Sequence, residues 1–233
     1  MARILTTAGF DADDTLWHNE RFFQLTQAHF ADLLADFTDR STLMNRLLEA
    51  ERRNLGHYGY GIKGFTLSMI ETAIEVTDGN VSARVIAELL DAGREMLRQP
   101  VELLPHARRA VTAAREGHRV VLITKGDLLD QERKLAQSGL GDMFDAVEIV
   151  SEKTADVYAT VFSRHGDGAA QGVMIGNSVR SDVLPMIEAG GWGVLVPHDL
   201  NWELENADIP SDHPRFACLP DLGGLPGFLA RVG

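Results

Sequence analysis

Three carboxylates and a hydroxyl, Asp11, Asp13, Asp14 and Thr15, fall within five residues, directly after a short, largely uncharged segment at residues 4–10. Carboxylates this crowded repel one another, and ionising them together is costly unless a cation joins them. Mg2+, which takes oxygen ligands and keeps some of its water, fits such a cluster. Further along the chain, polar residues follow apolar runs: Thr124, Lys125 and Gly126, then Ser151-Glu152-Lys153, then Asn177, Ser178 and Asp182. A phosphate monoester would give each part a task. One carboxylate attacks phosphorus and forms an acyl phosphate, splitting a hard hydrolysis into two steps. A second carboxylate two residues on protonates the leaving oxygen and then activates water. Mg2+, Thr124, nearby backbone N–H groups and Lys153 balance the charge on the transferring group. The ordinary alternative for the Asp pair is a turn or helix cap, and Asp14 reads as capping or solvent-facing. Thr124 and Lys153 taken singly are a strand-end residue and a surface lysine; only the joint pattern raises them above that.

These residues meet only if the elements carrying them share an edge. Residues 4–10 read as a first strand, and from about Asn19 to Leu97 the signals are helical. Phe23, Phe30, Leu34 and Phe37 fall on one face, as do Leu43, Leu47, Leu48 and Leu55. Four glycines between Gly56 and Gly64 break the pattern. Phe65, Met69, Ile70 and Ala73 resume it, and Val85, Leu89 and Met96 mark a fourth helix with Asn80 or Ser82 as N-cap. After Pro100, helices at 106–116, 128–138, 154–165 and about 182–189 alternate with strands at 119–124, 146–150, 172–176 and 192–196. Residues 207–233 read as a closing loop, strand and short helix. Such alternation implies an α/β fold, a Rossmann-like doubly wound parallel sheet covered on both faces. Ligands of such sheets sit beyond the C-terminal strand ends. The expected organisation is a core of residues 1–16 plus 99–233, with an all-helical insert at 17–98.

Composition narrows the partners. Lys plus Arg number 22 and Asp plus Glu 34, a formal net charge of -12. That balance argues against nucleic acid and anionic membranes as partners. A small anionic substrate stays compatible, because a metal and a few cations reverse the potential inside a pocket. The single cysteine, Cys218, excludes an intrachain disulfide and a Cys-rich zinc site. The eight histidines show no His-Glu-x-x-His spacing. Without a signal-like apolar segment or a run of membrane-spanning length, the expectation is a cytoplasmic protein, monomer or homodimer.

The motifs resemble those of haloacid dehalogenase superfamily hydrolases of the phosphatase type. Phe10-Asp11-Ala12-Asp13-Asp14-Thr15 matches the Asp-x-Asp-x-Thr first motif, Thr124 the second, Lys153 the third, and Gly176-Asn177-Ser178 with Asp182 the fourth. The insert resembles the helical cap placed between the first and second motifs. The resemblance implies Asp11 as nucleophile and Mg2+ ligand, and Asp13 as general acid/base whose carbonyl also binds the metal. It implies Thr124 on a phosphate oxygen, Lys153 as neutralising cation, and Asn177 and Asp182 completing the metal shell. Two departures stand out. Gly176-Asn177 replaces the usual Gly-Asp, and Thr124-Lys125-Gly126 replaces Thr-Asn-Gly, so Lys125 either holds an anionic group or points to solvent. The glycine-rich stretch resembles a specificity loop, with Tyr58, Tyr60 and Lys63 on the leaving group, or else is a plain turn. Dehalogenases of the superfamily lack the second carboxylate, so Asp13 favours phosphoryl chemistry. The implied function is a Mg2+-dependent phosphatase acting on a small phosphorylated metabolite. A phosphomutase and a catalytically silent ligand-binding protein are the alternatives; a receiver domain is disfavoured because its phosphorylated Asp lies on a later strand.

Overall fold

Side chains alternate to opposite faces along a strand, and here both faces of each central strand are apolar. The computed structural model describes residues 5–232. Ile4, the first residue of the expected leading strand, lies outside them. The paired part of that strand is β1 (Thr7–Phe10). With β2 (Arg119–Lys125), β3 (Ala146–Val150), β4 (Gly172–Gly176), β5 (Trp192–Leu195) and β6 (Phe216–Cys218), it forms one sheet in the order β3-β2-β1-β4-β5-β6. Every pairing is parallel. From β1 the chain moves to one side, through β2 and β3, then returns to the other side at β4. The switch point therefore lies between β1 and β4, where ligands of doubly wound sheets bind.

The face that carries Phe10, Val120, Leu122 and Ile175 packs on α5 (Ala107–Arg115) and α9 (Leu225–Val232). The opposite face, with Val121, Ile123 and Met174, packs on Tyr158 and Phe162 of α7 (Ala155–His165) and on Met186 of α8 (Leu184–Glu188). Helix α6 (Leu128–Ser138) follows β2. The helix expected at about 182–189 is shorter, because a turn of π-helix, Val179–Val183, precedes it.

Two compact units form. The first runs through Glu20, Val101–Lys125 and from Gln131 onward; the second is Arg21–Pro100 with Gly126–Asp130. The expected boundaries at 16/17 and 98/99 move for a local reason. Trp17 bridges to Asp13 and Leu103, and the His18 N–H donates to the Glu102 carbonyl. The Asp14 carboxylate accepts from the Asn19 and Glu20 N–H groups. These contacts tie residues 17–20 to the first unit.

The helical unit contains α1 (Glu20–Leu33) beyond its first residue, α2 (Arg40–Tyr58), α3 (Ile62–Val76) and α4 (Ala83–Arg98). Phe30, Leu34, Leu43, Leu47, Phe65, Met69, Ala73, Leu89 and Met96 make its core. Phe37 differs from expectation: α1 ends before it and its ring is exposed. Ser82, not Asn80, caps α4, accepting from the Val85 N–H. The glycine break is narrower than expected, because Gly56 and Gly64 lie inside helices. Gly59 and Gly61 alone turn the chain, with φ of 71° and 112°, values that favour glycine. Asp127 supplies the cap that α3 lacks at Gly61: its carboxylate accepts from the Lys63 N–H at 3.3 Å and pairs with the Lys63 ammonium at 3.2 Å. No helix among the described residues is long and apolar enough to cross a membrane.

Candidate active site

Strand β1 ends at Phe10, and the next residue stays in the sheet pattern, the Asp11 N–H donating to the Ile175 carbonyl at 2.9 Å. The chain then turns tightly, with the Leu16 N–H on the Ala12 carbonyl at 2.8 Å. That turn brings Asp11, Thr15 and the Asp13 carbonyl up to Asn177, just past β4, while the Asp13 side chain turns to α6. Asp14 sits at the apex of the turn with φ of 58°, a conformation Asp adopts more readily than most residues. Asp14 is neither solvent-facing nor catalytic in placement: it is buried and caps α1. Burial pushes its carboxyl up to about 6.

Lys153, just past β3, is buried between two carboxylates. Its ammonium lies 2.5 Å from Asp11 Oδ1 and 2.7 Å from Asp182 Oδ1. Burial alone would lower the lysine, but Asp11 and Asp182 outweigh it and hold it above its ordinary range. Burial pushes Asp11 up to about 7; Lys153 offsets part of that, and Asp182 adds to it. Asp182 is fully buried, and its second oxygen accepts from the Ser178 N–H at 3.0 Å. Both of its oxygens are thus engaged by the protein. The π-turn brings it back beneath β4, and Gly176 leaves the room: a Cβ there would lie 2.1 Å from Asp182 Oδ2.

Asn177 stands on the other side of Asp11. The Thr15 hydroxyl has one proton, which it gives to Asp11 Oδ2 at 3.0 Å, while it accepts from the Asn177 N–H at 3.0 Å. The Asn177 side-chain atom facing it is therefore the amide nitrogen, which also reaches Asp11 Oδ2 and the Asp13 carbonyl, both at 3.3 Å. One amide donor thus faces three oxygens. A small hard cation would meet the same oxygens, and turning the amide over would present Oδ1 to it. No group of three His, Cys, Asp or Glu side chains able to hold a metal occurs among the described residues. Mg2+ does not need one, since it commonly takes one or two carboxylates and keeps several waters. The donor set fits it.

Asp13 is held by residues that motif spacing did not single out. Its Oδ1 accepts from the Trp17 indole N–H at 2.7 Å and its Oδ2 from the Gln131 amide at 2.8 Å. The Lys134 ammonium lies 3.0 Å from each oxygen. Lys125 is paired within the protein. Its side chain is 10 % exposed and its ammonium is 2.8 Å from both Glu205 Oε1 and Ser181 Oγ. Glu205 also accepts from the Ser178 and Ser181 hydroxyls. Burial would raise Glu205, but Lys125 and these hydroxyls bring it below its ordinary range.

Thr124 is buried at the C-terminal end of β2, two residues beyond Leu122, the partner of Phe10. Gly126 follows Lys125 and falls in the second unit, as do the other leaving-group candidates. Tyr58 is the exposed last residue of α2, Tyr60 lies between α2 and α3, and Lys63 pairs with Asp127. Glu205 had no local signal, since it lies in a polar stretch beyond β5. Gln131 and Lys134 had one: two long polar residues three apart share one helix face.

A family model described as haloacid dehalogenase-like hydrolase matches residues 5–190. A haloacid dehalogenase-like family hydrolase from Xanthomonas campestris is 44% identical, with a TM-score of 0.88 over 98% of this chain and 91% of that one. Two more distant structures share the fold. A predicted phosphoglycolate phosphatase from Haemophilus somnus 129PT is 15% identical, with a TM-score of 0.66 over 96% of this chain and 97% of that one. L-2-haloacid dehalogenase from Xanthobacter autotrophicus, with chloropropionic acid covalently bound, is 18% identical, with a TM-score of 0.68 over 97% of this chain and 99% of that one. No curated protein matches the chain.

Proposed function

The chain belongs to the haloacid dehalogenase-like hydrolase family, and on that premise we propose that it is a Mg2+-dependent phosphatase of a small phosphorylated metabolite, working through an aspartyl-phosphate. The observation that carries the reading is Asp13, a second carboxylate on the turn that presents the Lys153-bound Asp11. Cleavage of a carbon–halogen bond needs a nucleophile but no proton for the departing halide, so an acid at Asp13 would be idle in the first step there. An alkoxide leaving from phosphorus does need one.

Asp11 attacks phosphorus, and the ester oxygen leaves with a proton from Asp13. Lys153 follows the charge from the Asp11 carboxylate to the phosphoryl oxygens, and the Thr124 hydroxyl donates to one of them. Asp13 then takes a proton from water, which attacks phosphorus, releases phosphate and restores Asp11. Asp182 keeps Lys153 in place throughout. Asp11, the Asp13 carbonyl and Asn177 would hold Mg2+, which when bound supplies positive charge beside the transferring group.

The test is phosphate release from p-nitrophenyl phosphate and a panel of metabolite phosphates, with Mg2+ or EDTA, for the wild type and Asp11→Asn. Turnover lost in EDTA and in the variant is expected. Absence of turnover, or chloride release from 2-chloropropionate instead, would overturn the reading.

A further inference from the structure

A carboxylate offers about four lone-pair sites. Four contacts fill them on Asp13: Trp17 and Lys134 on Oδ1, Gln131 and Lys134 on Oδ2. Lys134 and Gln131 project from the same face of α6, and both are buried, at 8% and 3% exposure. The same helix leaves Leu128 and Leu129 exposed, at 60% and 71%. A helix that buries its lysine and a glutamine while exposing two of its three leucines departs from the usual pattern. Burying an ammonium is costly unless it is paired and hydrogen-bonded. Lys134 meets that condition with Asp13, and with Asn19, whose Oδ1 it reaches at 2.7 Å.

We propose that Lys134, seconded by Gln131, is the positioning residue of the acid/base Asp13. The inference rests on the phosphatase reading. Lys134 touches neither substrate nor the reacting phosphorus. It fixes the plane and direction of the Asp13 carboxylate, which accepts four bonds at rest; when Asp13 takes up a proton from solvent, that proton replaces one of the four bonds and faces the departing group. Without the ammonium, Asp13 keeps its two neutral donors and loses the only contact that spans both oxygens.

The test separates the proton-transfer step from everything else in the site. kcat/KM reports steps up to formation of the aspartyl-phosphate. An alkyl phosphate needs the proton of Asp13 in that step, whereas p-nitrophenolate leaves unaided. General acid–base catalysis contributes typically about 100- to 10,000-fold. Lys134→Met is therefore expected to lower kcat/KM for an alkyl phosphate at least about tenfold. It should leave kcat/KM for p-nitrophenyl phosphate within about threefold, and inorganic phosphate should inhibit both proteins equally. Combined with Asp13→Asn, it should add no further loss, because the two changes act on one group. Gln131→Leu, which keeps the ion pair, should show the same signature more weakly, and it serves if Lys134→Met does not fold. Equal losses for both esters, or a loss that persists in the Asp13→Asn background, would overturn the positioning role while the phosphatase reading stands. A wild type that releases phosphate from neither ester overturns both.

Discussion

Replacing Lys153 by Met removes a cation from between two buried carboxylates while keeping most of the side chain's apolar length. The lysine side chain is 2% exposed, and those of Asp11 and Asp182 are 9% and 1% exposed. Removing one partner from a buried ion pair costs about 3–5 kcal/mol. In a chain of this size that corresponds to a fall in Tm of about 6–20 °C. The cost must depend on pH. Without the ammonium that holds it down, Asp11 retains its proton in the folded state to higher pH than in the wild type, in a range where the unfolded chain has released it. Where the native state binds more protons, stability falls as pH rises, by about 1.4 kcal/mol per pH unit for each retained proton. The wild type has a milder form of the same sign. Asp11, raised to about 7, contributes stability that is fully present below its unfolded value and lost as pH rises through 7. The deficit of Lys153→Met should therefore be smallest near pH 5 and larger by about 1 kcal/mol at pH 8. Thermal and urea melts of both proteins in EDTA at pH 5, 6.5 and 8 measure it. A deficit that stays constant, or shrinks toward pH 8, would refute the argument.

Three further outcomes follow from single contacts. Gly176→Ala places a methyl 2.1 Å from Asp182 Oδ2, and overpacking of a site already bonded at both ends should cost at least about 1–3 kcal/mol. Turnover should fall with it, and a variant as stable and active as the wild type would contradict the close packing. Asn177→Asp puts a carboxylate beside Asp11 Oδ2 and the Asp13 carbonyl, so it should lower Tm in EDTA and gain more from added Mg2+ than the wild type does. Equal Mg2+-induced shifts in Tm would place the cation elsewhere. Ser82→Ala deletes the α4 cap, at a cost of about 1 kcal/mol, read by helical melting and expected to leave KM for p-nitrophenyl phosphate unchanged.

The sheet was legible because its strands are short apolar runs ending in polar or glycine residues, and both faces of a parallel sheet are buried. Asp11, Thr124, Lys153, Asn177 and Asp182 could be placed on one edge for the same reason: each follows such a run. What stayed hidden came from side chains whose local signal was weak or absent. Lys134 and Gln131 occupy the face of α6 where periodicity expects apolar residues. Lys125 looked available for an anion, but its partner Glu205 is eighty positions away along the chain. The unit boundaries moved by a few residues because Asp14 caps α1 and Trp17 bridges back to Asp13, contacts set by a tight turn and not by hydrophobic spacing. Asp127 as the cap of α3 was equally invisible, since it lies far from that helix in sequence.

The central place of β1 in the sheet sets an order of assembly. Its partners begin only at Arg119 and Gly172, so the strand that presents Asp11 is made well before either strand that pairs with it. In the helical unit, by contrast, α2 packs on α3 and α3 on α4, contacts between sequence neighbours that close at little entropic cost. Pulse-labelled hydrogen exchange during refolding should therefore protect amides of Phe65–Ala73 before those of Ala8–Phe10, and the reverse order would show that the sheet nucleates first. Until β4 arrives, Asp11 has neither its sheet partner Ile175 nor the Asn177 and Asp182 that follow that strand. The proposed nucleophile thus gains its surroundings only once β4 has joined, and a truncated or incompletely folded chain carries Asp11 without them.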